Sequence, residues 1–203
     1  MKYLIGIDEA GRGPLAGPVA VGAVMVARDF DWALVVGAKD SKQMTPKSRE
    51  VLYIKMSELR ESGELDFAVE FSSSSMIDTY GIVPAIKSAL ARCLNKLSEG
   101  SPLTHRYEIL LDGGLRASAK FQNQRTIIRG DETEPIISLA SIAAKVERDR
   151  LMVRLATKYP AYAFEAHKGY GTVAHLIAIR DYGLSAIHRR TFCKRLISGQ
   201  ETV

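Results

Sequence analysis

Four acids stand where a chain could do chemistry with them. Asp8 and Glu9 follow the apolar run of "KYLIGIDEAGRG", Asp112 closes "YEILLD", and Asp131 closes "RTIIRGD". Open α/β sheets build their sites at the carboxyl ends of strands. If the three strands are parallel neighbours, four carboxylates converge at one end of a sheet. Carboxylates that close stay ionised together only with a cation among them. Oxygen donors suit Mg2+ or Mn2+, and no His/Cys cluster with zinc spacing occurs in the sequence. Two such ions about 3.5–4 Å apart would serve in-line attack of water on a phosphodiester. One difficulty is local. Asp8 and Glu9 are adjacent, and adjacent strand residues face opposite ways, so both reach one site only if the strand ends or twists at Asp8. Taken singly, each acid is as ordinary as a turn former or helix cap. That reading must then explain three strand ends at once.

The loop after the first pair, "GRGPLAGP", places Gly11, Arg12 and Gly13 where a backbone can approach a sugar or phosphate. A dinucleotide fingerprint is excluded by context, because Pro14, Gly17 and Pro18 forbid the helix it must open. No Gly-Lys-Ser/Thr follows, so it is not a P-loop. Further on, "HKGYGT" (His167–Thr172) sets Tyr170 between glycines, where its ring can lie against a sugar or base, beside Lys168, which can hold a phosphate. Packing is the plainer role for Tyr170. His105, His167, His175 and His188 lack ligand spacing, and His175 reads as a structural helix residue.

The elements that must position these residues follow from periodicity. "KYLIGI" (2–7) is apolar on both faces, as a buried strand is. "PVAVGAVMVA" (18–27) is a second strand, antiparallel to the first across a short loop, with Gly22 marking a bulge. "LDFAVEFSS" (65–73) alternates as a half-exposed strand, while 107–112 and 125–131 supply two more. Thr45 caps a helix to about Glu61, Pro84 opens one to about Leu97, residues 136–159 form the longest, and Thr172 caps one that stops at Gly183. This order predicts an α/β fold: one mixed five-stranded sheet flanked by helices.

The chain of 203 residues, 46% hydrophobic and 25% charged, is sized for a single domain. It is read as a core over residues 1–160 with a helical extension over 161–203 packed on it. No apolar run approaches the roughly 20 residues that span a bilayer, and the N-terminus meets acids before any cleavage-like site, so no signal peptide is expected. Two scattered cysteines fit a reducing, cytoplasmic setting. The net charge of +5 is unevenly placed. Residues 1–140 hold 17 basic against 18 acidic side chains, and residues 141–203 hold 11 against 5. A basic C-terminal third favours a polyanion such as nucleic acid.

In these motifs the chain resembles the ribonuclease HII (type 2 ribonuclease H) family over roughly residues 4–192. "GIDEAGRGPLAGPV", "DSKQM", "LLDGG", "IIRGD", "ISLASIAAKVERDR", "HKGYGT" and "IHRRTF" occur in the family's order. The resemblance implies a ribonuclease H-like fold and two-metal hydrolysis, with Mn2+ or Mg2+, of the RNA strand in RNA–DNA hybrids. It implies cleavage 5′ to single ribonucleotides in duplex DNA, leaving 3′-hydroxyl and 5′-phosphate ends, in ribonucleotide and primer removal. It assigns the catalytic and metal-binding set to Asp8, Glu9, Asp112 and Asp131. Ribose and phosphate contact falls to Gly11, Arg12 and Gly13, the RNA–DNA junction to Tyr170, and phosphate contacts to Lys42 and Lys168. The expected partner is nucleic acid; no membrane is involved, the protein is a monomer, and "LISGQETV" lacks the aromatic pair of a sliding-clamp motif. Arg129 stands where the family commonly has lysine, and Gly114 where it often has asparagine. A non-catalytic binder is disfavoured, since four bare carboxylates repel a polyanion. A phosphohydrolase or DNA nuclease on a similar sheet stays open.

Overall fold

The structure is a computed structural model and describes residues 2–37, 44–98 and 107–197. Five strands, β1 (Tyr3–Ala10), β2 (Val19–Ala27), β3 (Leu65–Ser72), β4 (Tyr107–Asp112) and β5 (Gln124–Ile127), form one sheet in the order β3-β2-β1-β4-β5. β1, β2 and β3 pair antiparallel, whereas β4 pairs parallel to β1 and β5 parallel to β4. The mixed sheet expected from the order of elements is therefore present. Its parallel half requires a crossover. The connection from β3 to β4 includes α2 (Ser74–Tyr80) and α3 (Ile82–Leu97).

Period-two alternation sorts β1 and β2 onto two cores. Ile5, Ile7, Val19, Val21 and Ala23 pack with Ile86, Leu90 and Leu94 of α3. Val24 and Val26 face α1 (Pro46–Glu61) and α5 (Pro135–Ala156) on the other side. Both faces of β1 are thus covered, which is why its sequence is apolar on both. The N-terminal half of α5 is itself enclosed, as a helix apolar all round must be. Two glycines let it approach: a Cβ at Gly6 would stand 2.3 Å from the Ile136 carbonyl, and one at Gly22 2.3 Å from that of Ala140. Gly22 is therefore not a bulge. It pairs in regular register with Asp8, and it is small because α5 lies on it.

Other boundaries moved. α1 begins as expected, with Thr45 Oγ1 accepting from the Ser48 N–H at 3.1 Å. α3 starts at Ile82, two residues before Pro84, and "SSMIDTY" forms the separate α2, capped by Ser73. The fifth strand stops at Ile127. Arg129 turns left-handed (φ 55°) and opens α4 (Gly130–Thr133), so Asp131 lies in a short helix rather than at a strand end. α5 ends at Ala156, and the chain continues through α6 (Phe164–His167), α7 (Val173–Tyr182) and α8 (Lys194–Ile197). A third apolar cluster, including Ala16, Met152, Tyr162, Phe164 and Ile179, binds this segment to α5 and to the loop after β1. Among the described residues, no helix is long and apolar enough to cross a membrane.

Candidate functional site

The parallel pairing of β1 with β4 ends at Ile7 opposite Leu111. One residue further along each strand stand Asp8 and Asp112. β1 itself runs on to Ala10, paired only with β2. This resolves the difficulty of the adjacent acids. Beyond Ile7 no strand continues alongside to part the two faces, so Asp8 and Glu9 both line one groove with Asp112 although their side chains leave opposite faces of β1. The groove has a volume of about 490 Å3, and Gly11, Arg12, Gly13 and Tyr170 also border it.

Burial raises the Asp8 carboxyl well above its ordinary range; a hydrogen bond from Ser141 on α5 opposes this, and the charges of Glu9 and Asp112 push it further up. Burial likewise raises Glu9, against the Arg12 guanidinium at 3.1 Å. Asp131 is 1% exposed, and its backbone N–H donates to Asp112 Oδ1 at 3.3 Å. It does not border the groove. Among the described residues, no three acid, histidine or cysteine side chains are already gathered around a point where an ion could sit. The acids that border the groove offer only carboxylate oxygens, and Asp8 among them is raised by burial first and by its like-charged neighbours further. That chemistry fits a hard divalent cation such as Mg2+ or Mn2+.

Two buried arginines hold the loop beside the acids. Arg148 (1% exposed) and Arg189 (0%) form no salt bridge among the described residues. Their donors go to main-chain carbonyls instead. Arg148 Nε donates to Pro18 at 2.9 Å, Nη1 to Lys168 at 3.1 Å and Nη2 to Ala16 at 3.4 Å. Arg189 Nε donates to Gly17 at 2.9 Å, Nη1 to Arg12 at 2.9 Å and Nη2 to Gly11 at 2.6 Å. Burial, with Arg148 adding to it, pulls Arg189 down to about 9, so it stays cationic at neutral pH. Gly11 has φ 85°, and a Cβ there would fall 1.8 Å from Arg148 Nε. Any other residue would displace the guanidinium. The basic excess of residues 141–203 is consequently not all surface: Arg148 and Arg189 are interior, while Lys145, Arg150 and Arg180 pair with acids.

Tyr170 is 44% exposed at the rim, with the Arg148 guanidinium 6.0 Å from its ring centre. The Leu15 N–H donates to the Gly169 carbonyl at 2.8 Å, which ties this segment to the first loop. Lys168 adopts φ 54°, and its ammonium folds back on the Glu165 carbonyl instead of lining the groove. Lys42 lies outside the described residues. Arg49 and Ser141 border the groove, and neither was singled out from sequence. Ser141 sits four residues before Lys145 on one face of α5, a helical spacing that could have flagged it. Asp149 pairs with Lys145 at 2.7 Å.

Behind Tyr170 the histidines form a chain. The Ser185 N–H donates to His188 Nδ1 at 2.9 Å, which leaves the His188 proton on Nε2. That N–H donates to His175 Nε2 at 3.0 Å, and His175 Nδ1–H donates to the Tyr170 carbonyl at 2.8 Å. Burial lowers both, His188 to about 4 with the His175 ring contributing. An unfolded histidine takes its proton near pH 6.5. Between there and pH 4 the unfolded chain holds the extra proton, so stability falls as pH falls through this window, on the order of 2–3 kcal/mol for His188. The raised Asp8 and Glu9 act in the opposite sense. Urea melts from pH 7.5 to 4.5 should show a shallower acid loss in His188→Asn than in the parent, and equal slopes would clear the pair of this role.

The model of the family described as ribonuclease HII matches residues 5–195. A ribonuclease HII of Endomicrobium trichonymphae is 42% identical over 187 residues, covering 92% of this chain and 83% of that protein. The crystal structure of ribonuclease H2 from Pyrococcus horikoshii OT3 superimposes with a TM-score of 0.74 at 27% identity, over 97% of this chain and 98% of that one. A Bst ribonuclease HIII solved in complex with Mn2+ shares the fold with a TM-score of 0.70 at 18% identity, over 98% of this chain and 70% of that one.

Proposed function

The chain belongs to the ribonuclease HII family, endoribonucleases of the ribonuclease H kind, and we propose that it is a divalent-metal-dependent enzyme that hydrolyses the RNA strand of RNA–DNA hybrids and cuts 5′ to single ribonucleotides in duplex DNA. The products are 3′-hydroxyl and 5′-phosphate ends. The observation that carries this reading is the meeting of Asp8 with Asp112 at the open end of a parallel strand pair, next to a loop whose backbone borders the same groove.

Asp8, Glu9, Asp112 and Asp131 would hold Mg2+ or Mn2+, with Asp8 and Asp112 central; the fold relative solved with Mn2+ supports that choice. Bound there, the ions would supply an activated water and stabilisation of the leaving 3′-oxygen. The protein's own share is positioning. Ser141 orients Asp8, the Asp131 N–H orients Asp112, and Arg12 occupies Glu9 until a cation competes for it. Gly11, Arg12 and Gly13 meet the ribose and its phosphates through backbone groups, and the 2′-hydroxyl is what separates RNA from DNA. Tyr170 lies against the nucleotide following the ribonucleotide. A duplex with one ribonucleotide, a long hybrid and an all-DNA duplex, each tried with Mg2+ and Mn2+, test the reading together. Equal cutting of all-DNA duplex would make it a DNA nuclease instead.

Duplex binding should weaken as salt rises, with a slope of about −0.9 per phosphate neutralised. Arg49 borders the groove whereas the Lys168 ammonium folds away from it. Arg49→Ala should therefore lower affinity about three- to tenfold for all duplexes alike and reduce the slope by about one. Lys168→Ala should act uniformly too, but less. Titrations by fluorescence anisotropy at several salt concentrations measure both, and a salt-independent affinity would reduce the basic side chains to a solvated surface.

A further inference from the structure

Arg189 lies more than 170 residues along the chain from the loop it touches, yet all its bonds to that loop are to main-chain carbonyls. Two of these, Gly11 and Arg12, belong to consecutive peptides. A trans peptide is planar, so the carbonyl of one residue and the N–H of the next point to opposite sides. Holding the Gly11 and Arg12 carbonyls inward on Arg189 turns the N–H groups of Arg12 and Gly13 outward. Arg12 and Gly13 line the groove that Asp8, Glu9 and Asp112 also border. Both residues are exposed, and the space where a Gly13 Cβ would stand is empty to 4 Å.

We infer that Arg189 is a positioning residue for ribose recognition: it presets the Arg12 and Gly13 N–H groups as a pair of outward donors for the sugar and phosphate oxygens of the ribonucleotide at the cleavage site. The inference rests on the ribonucleotide-recognition reading above. The planar fork is what the task needs, because a single guanidinium reaches three carbonyls in fixed relative directions and a lysine ammonium does not. Arg148 holds other peptides, those of Ala16, Pro18 and Lys168. The loop is also fastened by the Gly17 N–H to Ile187 and the Leu15 N–H to Gly169, both at 2.8 Å. These ties hold the loop near Leu15 and Gly17 when Arg189 is replaced, while of the three carbonyls released those of Gly11 and Arg12 belong to the peptides whose directions are freed. Losing a preset bond to a hydroxyl erodes discrimination more than it erodes general binding.

The test uses the full chain with Asp112→Asn to prevent cleavage. Affinities are measured by fluorescence anisotropy for a DNA duplex with one ribonucleotide and for the same duplex all in DNA. The expected preference of about tenfold for the ribonucleotide duplex falls below about twofold in both Arg189→Met and Arg189→Lys, while all-DNA affinity changes less than about threefold. Leu94→Ala, a core truncation on the α3 face, lowers the melting temperature but keeps the preference. A second measurement needs no Arg189 variant. In the same chain with Arg189 intact, amide exchange at Arg12 and Gly13 slows on adding the ribonucleotide duplex and not on adding the all-DNA duplex. An unchanged preference in Arg189→Met, or equal protection by both duplexes, overturns the inference and leaves the proposed activity standing. A parent chain without any preference overturns both.

Discussion

Asp8→Asn and Asp112→Asn should each lower cleavage of a hybrid by about a thousandfold or more, while the fold and duplex affinity survive. The size follows from what the proposed role would lose: a central oxygen ligand of ions that would generate the nucleophile and stabilise the leaving group, where each tenfold of rate is about 1.4 kcal/mol of barrier. The fold should survive because asparagine keeps the shape and one acceptor oxygen. At position 112 that oxygen still receives the Asp131 N–H, and at position 8 it still meets Ser141. Stability should move the other way from activity. A carboxyl whose folded value is raised binds its proton more tightly folded than unfolded, so it stabilises at low pH and costs stability as pH rises through that value. Burial is the main cause at Asp8. At neutral pH, Asp8→Asn should therefore melt at the same temperature as the parent or higher when no divalent ion is present. Adding Mn2+ should raise the melting temperature of the parent by mass action and leave Asp8→Asn nearly unmoved. Activity of either variant above a few per cent of the parent's would remove the acids from the centre of the mechanism.

Tyr170→Ala should lose about 10- to 100-fold in kcat/KM at a single ribonucleotide within DNA, and only about threefold within a long hybrid. Stacking of an aromatic side chain on a nucleotide is worth about 1–3 kcal/mol. The ring has little core to support, being 44% exposed. Its backbone is held independently, by His175 Nδ1–H on its own carbonyl and by the Leu15 N–H on Gly169 next door. Truncation therefore removes the ring without moving the segment. At an isolated ribonucleotide the following residue is a deoxynucleotide, which the ring is proposed to meet; in a long hybrid neighbouring ribonucleotides offer alternative registers. Tyr170→Phe should keep the preference. Replacing the single ribose by deoxyribose should end cleavage. An unchanged ratio in Tyr170→Ala would confine the tyrosine to packing and leave discrimination to the backbone of residues 11–13 alone.

Much of the scaffold could be read directly because its causes are local. A run apolar on both faces marks β1, a second long apolar run marks β2 and alternation marks β3, and one hydroxyl three residues upstream of an N–H marks the starts of α1 and α7. The short loop after β1 forces an antiparallel return, and a helical connection permits the parallel β4. The acids themselves, Asp8, Glu9 and Asp112, were legible as the first polar residues after apolar runs. Boundaries read less well. Asp131 looked like another strand end because apolar residues precede it, whereas the left-handed turn at Arg129 carries it into α4. Gly22 looked like a bulge, because a glycine in a strand does not announce that a helix lies against it.

Beyond these lies what no local pattern encodes. Arg148 and Arg189 contribute the same formal charge as any surface arginine, and composition counted them toward a basic surface. Only the folded chain shows them buried on the carbonyls of a loop far away in sequence. The histidines carried no ligand spacing, yet His188, His175 and the Tyr170 carbonyl form one hydrogen-bonded chain. Asp8 and Glu9 should have faced apart by strand geometry, and they share a groove because β4 stops beside them. Residue type and short-range spacing set which groups the protein has and which elements carry them. The direction in which each group points is set by partners that only long-range packing brings within hydrogen-bonding distance.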